Sequence, residues 1–211
     1  MLRGQAINKR FGLKAVLIDV NIVVKAGEAT VLMGPSGGGK TTLLRCLSLL
    51  ESPDSGSVDL DGAHFEFPNG KNVIPYPSVT IVFQQLFLWP HLTNRQNITI
   101  SMPANDDAYL RHLIELFDMR DFIDNYPNQS SLGQKQRVAL TRALVLKPKY
   151  ILLDEVTSAL DETRAQRVVQ ELKSLKETGL GILLITHSLD ISKQIGDRFC
   201  KLEKGVLRAI A

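Results

Sequence analysis

The hydrophobic positions of this chain follow two periods, one of strands and one of helices. Residues 2–33 read as strands: 17–24, Leu-Ile-Asp-Val-Asn-Ile-Val-Val, is dense in β-branched side chains, and Lys25-Ala26-Gly27-Glu28 reads as a turn. From Thr41 onward the period changes, and Leu43, Leu44, Leu47 and Leu50 share one helical face. Pro53, Gly56 and Gly62 then punctuate a hairpin around residues 57–60. Residues 79–83, 150–153 and 181–186 are near-continuous apolar runs, as expected of strands covered on both faces. Between the last two, Val168, Val169, Leu172 and Leu175 recur at helical spacing. Strand, helix and strand in that order predict a parallel sheet joined by right-handed crossovers. Residues 198–208 close the chain as a hairpin turning at Lys204-Gly205.

The stretch 86–148 interrupts this pattern. Leu110, Leu113, Ile114 and Phe117 mark a helix after an acidic start at Asp106-Asp107. A second helix starts near Ser131 and runs through Val138, Leu140 and Leu144 to Pro148. Ser131 with Gln134 three residues on is a capping box, which fixes where that helix begins. The expectation is a helical insertion between two halves of a strand-rich core.

Composition narrows the class. A chain of 211 residues can bury one good core and a smaller subdomain. No apolar run is long enough to span a bilayer, and Met1-Leu2-Arg3-Gly4-Gln5 lacks the apolar stretch of a secretory leader. Cys46 and Cys200 form neither a disulfide framework nor a metal-binding spacing, so a reducing, cytoplasmic setting is expected. The net charge of +3 is spread along the chain, so no nucleic-acid partner is expected.

The chemistry concentrates at strand ends. Val31-Leu32-Met33 runs into Gly34-Pro35-Ser36-Gly37-Gly38-Gly39-Lys40-Thr41-Thr42, which satisfies G-x-x-x-x-G-K-[ST] without a mismatch. Glycines allow backbone N–H groups to turn inward around an anion. Lys40 can reach β- and γ-phosphates, and the Thr41 hydroxyl can ligate Mg²⁺. The helix that follows points its positive end at the same anion. Ile151-Leu152-Leu153 ends in Asp154-Glu155, two carboxylates at the edge of the sheet where ligands bind. Asp154 suits Mg²⁺, and Glu155 suits activation of a water. His187, after a second such strand, can donate to a γ-phosphate. The Gln84 amide can touch metal, phosphate or lytic water. Phe11 admits two readings, a purine stack or a core phenylalanine.

In this order, the motifs resemble those of the nucleotide-binding subunit of an ATP-binding cassette (ABC) transporter, over nearly the full length. Residues 34–42 are similar to Walker A, Gln84 to the Q-loop glutamine, and 151–155 to Walker B with the catalytic glutamate. Ser158-Ala159-Leu160-Asp161 is similar to the D-loop, His187 to the switch histidine, and Phe11 to the aromatic that stacks on adenine. The wording at 83–93 looks most like importers of polar amino acids. The resemblance implies an α/β fold: a P-loop NTPase core with a mostly parallel sheet, an N-terminal antiparallel β subdomain and an inserted α-helical subdomain. It implies one ABC ATPase domain over 1–211, with the core at 1–85 and 149–211 and the helical part at 86–148.

Two positions depart from the family. Its Leu-Ser-Gly-Gly-Gln signature is Ser130-Ser131-Leu132-Gly133-Gln134 here, and Val156 replaces a proline. Leu132 either hinders approach of the backbone to phosphate or points away. Loss of the proline can loosen the turn, although valine is acceptable in extended backbone.

The resemblance further implies ATP and Mg²⁺, the metal held by Thr41, Gln84 and Asp154. Two subunits would pack head to tail, Ser131, Gly133, Gln134 and Asp161 of one facing the nucleotide on the other. Glu155, His187, Gln84 and Lys40 would be catalytic. The subunit would lie peripherally on the inner face of the cell membrane, docked to permease subunits through 86–130. Phe87, Leu88 and Trp89 would either contact the permease or pack within the subdomain. The alternatives are a soluble ABC ATPase outside transport, and a hydrolysis-poor cassette in a heterodimer.

Overall fold

Strands 150–154 and 181–185 have no exposed residue, and the reason organises the whole molecule. In the computed structural model, which describes residues 1–69, 75–102 and 106–210, alternate side chains of these strands enter two separate cores. Ile151, Leu153, Ile182 and Leu184 face a helical layer, whereas Tyr150, Leu152, Leu183 and Ile185 face a layer of strands. A sheet covered on both faces needs apolar residues at every position, hence the continuous runs.

The strand layer is an antiparallel sheet built from β1 (Leu2–Phe11), β2 (Lys14–Val24), β4 (Ser55–Leu60) and β5 (Ala63–Phe67), in the order β2-β1-β4-β5. The central sheet contains β3 (Ala29–Met33), β6 (Val79–Val82), β7 (Tyr150–Asp154), β8 (Gly181–Ile185), β9 (Arg198–Glu203) and β10 (Val206–Ile210). Its order is β10-β9-β3-β8-β7-β6, parallel except for the edge strand β10. The chain ends of β3, β6, β7 and β8 therefore lie along one edge. Helix α1 (Lys40–Leu47) leaves β3 on the strand-layer side, burying Leu43, Leu44 and Leu47 there. Between β6 and β7 come α2 (Asn94–Thr99), α3 (Asp107–Leu116) and α4 (Leu132–Leu144). With α5 (Glu162–Glu177) and α6 (Leu189–Ile195) they supply most of the other core.

The expected helical face at 43–50 overruns the helix by three residues. Helix α1 stops at Leu47, and Leu50 is 52% exposed. Leu49 adopts φ 55°, its N–H bonds the Cys46 carbonyl, and the Leu50 N–H bonds the Arg45 carbonyl. This is a Schellman closure with leucine where glycine is usual, so no sequence signal announces it. Helix α4 likewise ends at Leu144, short of Pro148, and Lys147 turns left-handed at φ 49°. Helices α2 and α6 have no counterpart in the sequence reading. The first carries a legible sign, a capping box between Thr93 and Gln96.

The β4–β5 hairpin turns through Asp61 (φ 47°) and Gly62 (φ 96°), a two-residue loop with both φ positive. Asp61 also ties the two sheets together. It accepts hydrogen bonds from the Tyr150 hydroxyl (2.8 Å), from Lys149 Nζ (3.1 Å) and from the Met1 ammonium (2.5 Å). Burial alone would raise its pKa, but these donors outweigh burial and hold it at about 2, below the ordinary 3.8. A depressed carboxylate pKa stabilises the fold above the ordinary value, and that stability is lost as pH falls through the folded value. The thermal midpoint of wild type is expected to exceed that of Asp61→Asn near neutrality. The gap closes between pH 3.8 and about 2, and a gap independent of pH would contradict the assignment.

Candidate nucleotide site

Strand β3 passes β9 so closely that a Cβ on Gly34 would stand 2.1 Å from the Leu202 carbonyl oxygen; Gly34 also has φ 144°. Gly39, at φ 96°, occupies the N-cap of α1, and a Cβ there would meet the Val16 carbonyl at 2.8 Å. Between them Pro35, Ser36, Gly37 and Gly38 form a turn closed by the Gly38 N–H on the Pro35 carbonyl (3.1 Å). No side chain caps the start of α1. The N–H groups of Lys40, Thr41 and Thr42 are therefore directed at whatever anion the loop receives. Lys40 is 7% exposed and donates to the Gly34 and Pro35 carbonyls at 2.8 and 2.9 Å, which holds its ammonium across the loop.

Strand β7 delivers Asp154 to the same place. The Thr41 hydroxyl donates to Asp154 Oδ2 at 2.6 Å. Asp154 is almost fully buried, and burial pushes its pKa up; the Thr41 hydrogen bond opposes that, and the neighbouring Glu155 charge adds to it. A buried carboxylate beside a hydroxyl, both hard oxygen donors, fits a Mg²⁺ ion. Among the described residues no cluster of three or more His, Cys, Asp or Glu could hold a metal. A cation here would thus depend on Thr41, Asp154, the Gln84 amide oxygen and oxygens of the ligand itself.

One residue further, Glu155 turns into the left-handed region at φ 54° while its N–H bonds the Ile185 carbonyl. Such strain in a non-glycine residue persists only where surroundings impose it. Its carboxylate receives Gln84 Nε2 at 3.3 Å and lies 2.9 Å from His187 Nε2. Groups from the ends of β6, β7 and β8 thus meet at one carboxylate. Beyond it opens a cavity of about 530 Å³ lined by Glu155, Ser158, Gln166, His187 and Asp190. Oriented hydrogen-bond partners around a carboxylate are what a general base for water needs.

The remaining candidates are placed elsewhere. Ser131 caps α4, with both bonds of the capping box made: Gln134 N–H to Ser131 Oγ at 3.3 Å and Ser131 N–H to Gln134 Oε1 at 2.7 Å. Gly133 backs onto the loop before α5, where a Cβ would meet the Ala159 carbonyl at 3.1 Å. Asp161 caps α5, accepting from the Arg164 N–H and from its guanidinium. Among the described residues, none of these bonds the phosphate loop or Glu155 of its own chain. Leu132, in the first turn of α4, is 58% exposed. Val156 is buried in the helical-side core, so valine fills the position expected of proline. Phe11 is no core residue. It ends β1 half-exposed, with Lys9 Nζ 5.3 Å from its ring centre.

Phe87 and Trp89 are exposed, whereas Leu88 packs against the core. Leu50, Tyr76 and Ile100 are also exposed. Leu50 and Tyr76 border a cavity of about 220 Å³ floored by Val79, Ile81 and Leu146. This opening is not legible in the sequence, because it depends on where α1 stops.

The ABC transporter family profile matches residues 17–158. The chain is 38% identical to the arginine transport ATP-binding protein ArtP of Escherichia coli (strain K12), over 94% of this chain and 87% of the relative. It is 35% identical to the arginine transport ATP-binding protein ArtM of Bacillus subtilis (strain 168), over 98% and 89%. The fold superposes on the dimeric structure of MJ0796, a bacterial ABC transporter cassette, with a TM-score of 0.89 at 29% identity, covering 100% of this chain and 98% of that one. A post-hydrolysis state of the same cassette, bound to ADP and Pi, gives 0.87. Phosphate loop, paired carboxylates, fold and relatives agree, and the chain belongs to the ABC transporter family as an ATPase cassette.

Proposed function

We propose that this chain is the ATP-hydrolysing subunit of a transporter that imports a polar amino acid. The observation that carries the reading is the convergence of Gln84 and His187 on Glu155, on the sheet edge where Thr41 meets Asp154. The phosphate loop N–H groups and Lys40 bind the triphosphate, and the ring of Phe11 takes the adenine. Thr41, Asp154 and Gln84 would hold Mg²⁺, which when bound neutralises phosphate charge. Glu155 accepts a proton from water, and that water's oxygen forms the bond to the γ-phosphorus. The bond to the bridging oxygen breaks, and its electron pair leaves with ADP. His187 holds the Glu155 carboxylate and donates to the transferred phosphoryl group.

Residues 1–85 and 149–211 form the nucleotide-binding core in this reading, and 86–148 form the helical part. A second subunit, identical or related, presents Ser131, Gly133, Gln134 and Asp161 to the nucleotide. In a dimer closed by ATP, hydrolysis reopens the interface, because only the triphosphate bridges both halves. Exposed Phe87 and Trp89 and the opening beside Leu50 and Tyr76 receive permease subunits at the inner face of the membrane. Among the described residues no helix is long and apolar enough to cross a membrane itself. Relatives named for arginine, glutamine and L-cystine transport or import support a polar amino acid as the cargo. Proteoliposomes containing this chain with its membrane subunits are expected to accumulate one of these amino acids only with ATP. Transport of none of them would overturn the cargo class.

Leu132 supports a second reading, a cassette that hydrolyses poorly in a heterodimer, because its exposed side chain leaves the very helix start that faces nucleotide. Leu132→Gly is expected to raise turnover of the assembled transporter about threefold or more, ~0.7 kcal/mol of barrier. An unchanged steady-state ATPase rate would show that the side chain does not obstruct closure.

A further inference from the structure

The segment carrying Gln84 is pinned at both ends by arginines from different helices. At one end Arg45, on α1 directly after the phosphate loop, stacks its guanidinium 5.4 Å from the centre of the Phe83 ring. Phe83 meets Phe87 edge to face at 5.6 Å. At the other end Arg142, on α4, donates through Nη1 to the Phe87 carbonyl (2.9 Å) and through Nη2 to the Leu86 carbonyl (2.8 Å). Phe87 itself is left-handed, at φ 47°, so this backbone is held in a shape that a phenylalanine does not choose unaided. The Arg142 side chain is drawn far enough from water for burial to pull its pKa down.

Two planar bonds to successive carbonyls fix both position and orientation, which a lysine ammonium cannot reproduce. The same helix begins at Ser131. The bonded segment leads back through Gln84 to Glu155, and forward to exposed Trp89. Coupling between distant surfaces travels through such contiguous contacts when they move as a unit.

We infer that Arg142 is a positioning residue that makes the 86–89 surface and helix α4 move together, so that docking on that surface sets the place of Gln84 and of the α4 start. The inference rests on the transporter reading above. It gives Arg142 no contact with nucleotide.

The test compares ATPase activity of the chain alone with that of the chain assembled with its membrane subunits. For Arg142→Lys alone, kcat and KM are expected within about twofold of wild type, as for a residue remote from the chemistry. In the assembly, stimulation by the membrane subunits is expected to fall about fivefold or more, ~1 kcal/mol. Phe83→Leu, which loosens the other pin, is expected to lose stimulation too, and the double variant little more than either single, because both act through one segment. Stimulation equal to wild type in Arg142→Lys would overturn the inference. So would equal proportional losses alone and assembled, or additive losses in the double variant. Wild type that the membrane subunits never stimulate would instead overturn the transporter reading itself.

Discussion

Glu155→Gln is expected to bind ATP as wild type does and to hydrolyse it about 10²–10⁴-fold more slowly, the range for loss of a general base. The substitution keeps the shape of the side chain. It keeps one of the two acceptor oxygens, which now meet Gln84 Nε2 (3.3 Å, at Oε2) and His187 Nε2 (2.9 Å, at Oε1). The ability to take a proton disappears. In the proposed site the nucleotide contacts come from the loop at 34–42, Lys40 included, on another strand end, so affinity is expected to be retained. With hydrolysis blocked, the nucleotide-closed dimer persists, and size-exclusion chromatography with ATP is expected to show it. Single-turnover hydrolysis at saturating ATP measures the rate effect. A rate within a few-fold of wild type would remove Glu155 from the chemical step.

Lys40→Ala is expected to weaken ATP binding about 100-fold, ~2.7 kcal/mol, in keeping with loss of hydrogen bonds to charged groups. The Lys40 ammonium is withdrawn from solvent and spans the loop between the Gly34 and Pro35 carbonyls. Phosphate oxygens arriving at the first turn of α1 meet a cation already in place. Removing it also leaves those carbonyls without their donor, so a modest fall in thermal midpoint accompanies the loss. Titration of a fluorescent ATP analogue measures affinity. Unchanged affinity would mean that the triphosphate sits elsewhere.

Contiguity decided what the sequence alone could disclose. The phosphate loop and Asp154-Glu155 are each local, and β3 and β7 take them to the same sheet edge. The capping box at Ser131 is equally local and proved correct in both of its bonds. The meeting of Gln84, Glu155 and His187 is different in kind. It requires the parallel register of β6, β7 and β8 and a left-handed Glu155, neither of which is written in nearby residues. Leu50 was misplaced because a leucine does the work of a C-terminal glycine at Leu49. Arg142 was silent because its partners are backbone carbonyls, which every residue possesses. Phe11 lies at a strand end beside a turn, beyond the reach of the core it would otherwise join.

A crystal structure of the chain with Mg²⁺ and a non-hydrolysable ATP analogue tests the central claim most directly. The account predicts β- and γ-phosphates against the N–H groups of 39–42, with Lys40 bonded to them and Glu155 Oε facing the γ-phosphorus across a water. Phosphates bound away from that turn, or a Glu155 carboxylate directed elsewhere at full occupancy, would contradict it.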